Sequence, residues 1–222
     1  MSFWEPIWLS LKLAACTSII LFVIAVPITY WLSLSKSIWK PLVETIITLP
    51  LVLPPTVLGF YFLMVFGTGN PFGAWLEEHL GMRFVFSFEG LVLASVIYSF
   101  PFMVQPIQNA LSSLPKGIRE TAWVYGKGKW KTLFQVLLPS IRPSILSAVI
   151  LTFVHTMGEF GMVLLIGGSI PGETRLASIA IFEEVEALNY ANAHSYSLIL
   201  ISFAFVIVLI LNVVKSAKKT VL

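Results

Sequence analysis

The chain has 222 residues, of which 57% are apolar and only 11% charged, a composition that excludes an ordinary soluble globular protein. Its net charge of +3 is spread over separate basic blocks, which speaks against nucleic acid, and its single Cys16 excludes an intrachain disulfide or a cysteine metal cluster. Five apolar stretches approach the roughly 20 residues that a helix needs to cross a bilayer, and they fill most of the chain. One all-α integral membrane domain over residues 1–222 is the expectation.

The first segment covers about 8–34. Leu13-Ala14-Ala15-Cys16 imitates a lipoprotein cleavage box, but Lys12 interrupts the position of the signal core and the apolar run follows the cysteine. An uncleaved span, with Pro27 as a possible kink, fits better. Lys36 and Lys40 follow it and mark the cytoplasmic side, which places the N-terminus outside. The second segment, about 42–66, carries Pro50, Pro54 and Pro55 with Thr56 and Gly59 beyond, so a straight helix is not expected. Such broken helices line a cavity or lie buried in protein, and both alternatives stay open. In the loop 67–89, Gly69-Asn70-Pro71 reads as a turn and Trp75 to Leu80 as a short surface helix. Its Glu77, Glu78 and Glu89 suit the outside. The third segment, about 90–111, is interrupted by Ser99, Pro101 and Pro106, and Gln105 and Gln108 lead from it into a basic loop.

That loop, 115–139, is the one long polar interruption between apolar segments. Ser113 is a plausible cap and Pro115 suits a first helical turn. Ile118, Ala122 and Tyr125 then fall on one face, and Gly126 suits the position that ends such a helix. After Gly128 a second run places Trp130, Leu133, Phe134 and Leu137 on one face, and Pro139 closes the unit. Lys127, Lys129 and Lys131 crowd the joint. By chemistry alone, a loop held at the surface by anionic lipid explains these features as well as a docking element does.

The fourth segment, about 143–166, contains His155 and Glu159 within Gly158-Glu159-Phe160-Gly161. Four residues apart on one helical face, they can pair, and an internal structural or gating contact is favoured over a ligand role, since a carboxylate repels anions. The loop 167–195 holds a Gly/Pro turn and a partly amphipathic helix over Leu176 to Leu188 with three glutamates, which suits the outside, and His194 reads as a surface residue. The fifth segment, about 196–214, is stopped on the inside by Lys215, Lys218 and Lys219. Five transmembrane helices result, N-terminus outside and C-terminus cytoplasmic, by the excess of lysine and arginine on one side.

The basic loop resembles the cytoplasmic "EAA" loop of bacterial ABC-importer permeases, E-A-A-x-x-x-G, nine residues, then I-x-L-P. Glu120, Thr121, Ala122, Gly126, Val136, Leu138 and Pro139 stand at that spacing, with Thr121 for Ala and Val136 for Ile. The resemblance implies a coupling helix seated in a groove of an ATPase subunit. On it, Arg119, Glu120, Thr121, Ala122, Gly126, Trp130, Leu138 and Pro139 are the candidate ATPase-coupling residues. The chain has no G-x-x-x-x-G-K-[ST] loop, no H-E-x-x-H and no aspartate, so no catalytic set is predicted. ATP and Mg would be bound by the partner ATPase, in two copies, one for each loop of a homodimer.

The likeness extends to Leu49-Pro50-Leu51-Val52-Leu53-Pro54-Pro55, Ser99-Phe100-Pro101, the Gly158 to Gly161 motif and Ile170-Pro171-Gly172-Glu173-Thr174-Arg175, which resemble the molybdate ABC-importer permease family. This implies an ABC importer type I permease fold in the cytoplasmic (inner) membrane. It also implies an external or periplasmic molybdate-binding protein and alternating access driven by the ATPase. Tungstate- and sulfate-type oxyanion permeases are the neighbouring readings. An ATP-independent secondary transporter is the reading from another class, and the absence of a visible internal repeat weighs against it. Candidate pathway or gate residues are Thr56, Gly59, Ser99, Thr152, Thr156, Gly158, Glu159 and Gly161. The hydroxyls among them can donate to an oxyanion without trapping it, and each is equally at home as a helix-packing residue.

Overall fold

A computed structural model describes residues 3–219, and all regular structure among them is helical. The side chains of Lys218 and Lys219 lie outside the described residues. Helix α1 (Glu5–Leu34) carries Pro6 in its first turn and runs on through Pro27 without interruption. Thr29 returns its hydroxyl to the carbonyl of Ala25 at 2.8 Å, so a buried polar group is satisfied within its own helix.

The second apolar segment is two helices, α2 (Lys40–Val52) and α3 (Pro55–Phe66), bent by 109°. Leu53 and Pro54 each precede a proline and are held extended, with ψ near 138° and 136°, so the chain leaves the helix for two residues. Pro55 then opens α3, where its missing N–H costs nothing. Helix α4 (Pro71–Leu80) starts four residues before Trp75. Asn70 caps it by accepting from the Phe72 amide at 2.9 Å, so Asn70-Pro71 is a helix start and not a free turn.

Helix α5 (Phe88–Ser113) is a single helix through Pro101 and Pro106, contrary to the interruption predicted there. Packing explains this: α1 and α9 (Arg142–Met157) flank α5 along its length, and neighbouring helices compensate a proline inside a membrane helix. Between α5 and α9 lie α6 (Lys116–Val124), α7 (Lys129–Thr132), a π-helical turn (Leu133–Leu137) and α8 (Leu138–Ser140). The run Lys129–Ser140 meets α9 at 80°. Ile141 sits at the corner, so the unit ends there and not at Pro139.

The fourth apolar segment also breaks. Helix α9 stops at Met157, and α10 (Gly161–Gly167) resumes after Gly158–Phe160. Helices α11 (Ala177–Glu186) and α12 (Tyr190–Lys219) complete the chain. Three helices, α1, α5 and α12, are each long and apolar enough to cross a membrane, and the bent pairs α2–α3 and Lys129–Ser140 with α9 supply up to two more crossings.

The centre is α1, α5 and α9 packed on one another. Ala25, Ala94, Ser95, Ala148 and Thr152 are fully enclosed there, the small residues that allow close approach without a solvent-driven hydrophobic force. One apolar cluster gathers Leu21, Met103, Ile107, Leu133 and Leu137 towards the basic side. A second gathers Leu13, Leu91, Met162, Ile166 and Ile179 towards the opposite, acidic side. Helix α3 packs on α10, and α12 touches α11 and α9 while leaving most of its apolar surface uncovered.

Gly90, in the first turn of α5, lies under the preceding backbone. A Cβ there would stand 1.6 Å from the carbonyl oxygen of Phe84, whereas one on Gly69 would meet open space. Gly90→Ala is expected to lose most of the monodisperse protein recovered in detergent. Gly69→Ala should unfold within about 0.5 kcal/mol of the parent. Size-exclusion yield and thermal unfolding in the same detergent make the comparison.

Candidate functional site

The basic loop is rigid by construction. Helix α6 follows Pro115 directly, and Ser113 does not cap it, since its hydroxyl turns back to the carbonyl of Ala110 at 2.9 Å. At the other end Gly126 takes φ of +75°. The Lys127 amide then donates to Ala122 O at 3.0 Å and the Gly126 amide to Trp123 O at 2.9 Å, the paired closure of a Schellman motif. A residue with a Cβ pays about 1–2 kcal/mol for that conformation, so the elbow depends on glycine.

Three side chains of the loop bolt it to the core. Ala122 is buried, and Leu133 and Leu137 enter the cluster that contains Tyr30. Tyr30 also donates its hydroxyl to Lys129 O at 3.3 Å. The predicted single apolar faces split in two. Ala122 points inward and Ile118 is half-buried, but Tyr125 is 80% exposed. Leu133 and Leu137 are buried, while Trp130 and Phe134 stand out in solvent and stack on each other with ring centroids 6.2 Å apart. Leu133 and Leu137 take the inward edge of an arc of about 100° and Trp130 and Phe134 its outward edge, and the segment closes as a π-helical turn in which the Leu138 amide donates to Leu133 O.

What projects is an apolar crest, Trp123, Val124, Tyr125, Trp130 and Phe134, and the 86% exposure of Val124 shows how little of the chain covers it. Arg119 lies 5.7 Å from the ring of Trp123, and Glu120 and Thr121 are exposed beside it. A groove of about 540 Å³ runs between α6 and the π turn, lined by Ile118, Thr121, Tyr125 and Val136. Leu138 and Pro139 are half-buried and lead into α9. Sequence reasoning missed the crest at Val124 and Tyr125; the signal was three consecutive apolar residues inside a charged loop.

Six of the eight candidate pathway residues fall into two groups, and Gly158 and Glu159 lie in the break between α9 and α10. Ser99 of α5 and Thr156 of α9 share a hydrogen bond of 2.9 Å, both buried, and Thr152 is buried one turn away from Thr156. Thr56, Gly59 and Gly161 meet where α3 packs on α10. A Cβ on Gly161 would lie 3.4 Å from Thr56 Cγ2, and one on Gly59 would lie 3.2 Å from Met162 Cα. Thr56 itself is exposed.

Glu159 is only 4% exposed and does not pair with His155. The helix ends at Met157, so the four-residue spacing no longer puts the two on one face. Glu159 Oε2 accepts from Ser95 at 3.1 Å, and its backbone carbonyl accepts from Ser178 at 2.6 Å. The break between α9 and α10 is thereby tied to α5 and α11, an internal structural contact. His155 instead stacks on Phe102, 4.0 Å between centroids, and leans on Tyr98. Sequence reasoning also missed Glu44, which accepts from Gln108 on α5 and lies 3.7 Å from Lys40. A lone acid one turn past a lysine in an apolar run was the available signal.

Comparison with known proteins follows from this architecture. Residues 13–217 match the family described as "Binding-protein-dependent transport system inner membrane component". The chain belongs to that family. It is therefore an inner-membrane permease component of a binding-protein-dependent ABC transport system. The "Molybdenum transport system permease protein ModB" of Azotobacter vinelandii is 46% identical over 200 residues, covering 90% of this chain and 88% of that one. The "Probable sulfate transport system permease protein cysT" of Helicosporidium sp. subsp. Simulium jonesii is 31% identical, over 94% of this chain and 77% of that one. Among solved structures, the fold superposes with a TM-score of 0.79 on a bacterial ABC transporter involved in the import of alginate, at 18% identity, covering 96% of this chain and 78% of that one.

The Ser99–Thr156 bond is open to direct measurement. A double-mutant cycle with Ser99→Ala and Thr156→Val should give a coupling energy of about 0.6 kcal/mol, the usual size of such a bond between membrane helices. Unfolding free energies of the four variants in detergent or bicelles supply it.

Proposed function

We propose that the chain is the membrane-spanning permease of an importer for molybdate, working as a homodimer. It takes the oxyanion from an external binding protein and passes it inward by alternating access, driven by two copies of a separate ATPase that hold the ATP and Mg. The observation that carries the cargo is the 46% identity to a molybdenum permease along nine-tenths of the chain, against 31% to a sulfate permease. The orientation follows the basic blocks: Lys36, Lys40, the 115–139 loop and Lys215 lie on the cytoplasmic side, and five crossings put the N-terminus outside.

In this reading the apolar crest of the 115–139 loop seats in the ATPase. Exposed tryptophan and tyrosine on a rigid frame are the residue types that dominate binding energy at such contacts. Arg119, Glu120, Thr121 and Trp130 contribute to the outer surface, Ala122 to the fit against the core, Gly126 to the elbow, and Leu138 and Pro139 to the link into α9. A movement of the ATPase reaches α9 through that link. From α9 it reaches the break at Gly158, where α10 and its partner α3 reorient about Gly59, Thr56 and Gly161.

Reconstitution with the neighbouring ATPase subunit in lipid tests both halves. Binding protein loaded with molybdate should stimulate ATP hydrolysis and drive uptake, whereas sulfate-loaded protein should not. Stimulation by sulfate alone would keep the permease and replace the cargo. Tyr125→Ala should weaken ATPase affinity about tenfold or more. Gly126→Val should reduce coupled uptake severalfold while the permease dimer still forms. An unchanged uptake rate in both variants would remove the loop from the coupling path.

A further inference from the structure

The seam between α2 and the cytoplasmic half of α5 holds a polar strip that neither the coupling loop nor the α3–α10 contact uses. Lys40, Glu44 and Thr48 lie at i, i+4 and i+8 on one face of α2. Gln108 and Gln105 face them from the antiparallel α5: Gln108 donates to Glu44 Oε1, and Gln105 donates to Thr48 Oγ1 at 3.3 Å. Lys40 Nζ stands 3.7 Å from Glu44 Oε1.

This strip reaches inward. Thr48 is eight residues beyond Lys40, about 12 Å along the helix. The side chains of Lys40 and Glu44 are 30% and 36% exposed, and Thr45 is exposed beside them. An open groove of about 430 Å³ runs along this face from Pro41 to Val52. Lipid is a poor neighbour for the carboxylate and the two amides that this strip carries inward from Lys40. The bare surface of α12, by contrast, is predominantly apolar and carries no charged side chain between Tyr190 and Val213.

The chemistry of the strip is specific. The Lys40 ammonium and the Gln105 and Gln108 amide N–H groups are donors, the complement of a tetrahedral oxyanion that offers only acceptors. Glu44 is also an anion, and it already holds two of the three. We propose that Lys40, Gln105 and Gln108 form a transit site for the oxyanion near the cytoplasmic mouth, and that Glu44 occupies this site between passages as a tethered competitor. This rests on the reading that the chain passes an oxyanion. A tethered carboxylate is always at hand and repels the arriving dianion, so the site takes the cargo weakly and releases it quickly. The same groups without Glu44 would trap it.

Glu44→Gln isolates the effect, because an amide of the same shape still accepts from Gln108 but carries no charge. In the permease–ATPase complex in nanodiscs, without binding protein, molybdate measured by equilibrium dialysis should bind the Glu44→Gln variant roughly tenfold or more tightly than the parent. Uptake into proteoliposomes should fall severalfold, since release slows. Adding Lys40→Gln or Gln108→Leu to Glu44→Gln should abolish the gained affinity. A purely structural clamp predicts otherwise: Glu44→Gln leaves binding unchanged, and that result overturns the proposal. So does a gain in affinity that survives Lys40→Gln. Should the parent complex take up no molybdate when its binding protein is loaded, the cargo assignment fails separately. The same dialysis with sulfate then decides the strip, with tightening in Glu44→Gln upholding it and equal binding overturning it.

Discussion

A hydrogen-bonding group inside a bilayer has no water to fall back on, so each must find a partner in protein. In this chain α5 carries much of that demand. Ser95 and Ser99 reach Glu159 and Thr156 across one seam, and Gln105 and Gln108 reach Thr48 and Glu44 across another. From Ser99 to Gln105 is six residues, about 240° around the helix, so the two sets face different neighbours. Helix α5 is thereby cross-linked to both broken segments of the chain, α2 before one break and the α9–α10 junction at the other. Its two prolines do not bend it out of this role, because α1 and α9 hold it.

The breaks themselves are where the rigid parts meet. Leu53-Pro54 leaves the helix because prolines forbid it, and Gly158 to Phe160 leaves it with Glu159 pinned on two sides. Beyond them, α3 and α10 lie against each other at Gly59 and Gly161, and a Cβ on Gly59 would stand 3.2 Å from Met162 Cα. Contacts that close have two arrangements, packed or parted, more readily than a continuum between them. The path from the exposed crest to this pair is short in sequence: the π turn, α8, the corner at Ile141 and then α9.

Much of this was legible in the residues. The all-helical fold, the proline break in the second apolar segment and the left-handed Gly126 all follow from local chemistry. Other features depend on information that local pattern does not hold. Trp130, Leu133, Phe134 and Leu137 share one arc of about 100° on a helix, and spacing alone does not say that the core takes only Leu133 and Leu137. His155 and Glu159 have helical spacing, but the helix stops between them. Glu44 gains its meaning from Gln108, 64 residues further on, and no reading of α2 alone supplies that partner. Prolines 101 and 106 look like breakers until the neighbours that compensate them are present.

Helix α12 runs for 30 residues and packs mainly on α11 and α9, with Tyr196 near its start stacked on Phe3. Its apolar part, Tyr190–Val213, is 24 residues and, at 1.5 Å per residue, about 36 Å long, against a hydrocarbon layer of about 30 Å. A rod of that length sinks its apolar surface only by leaning, and one free on most sides leans as far as the local membrane asks. The thickness of the surrounding bilayer therefore bears on the angle of a helix that rests directly on α9.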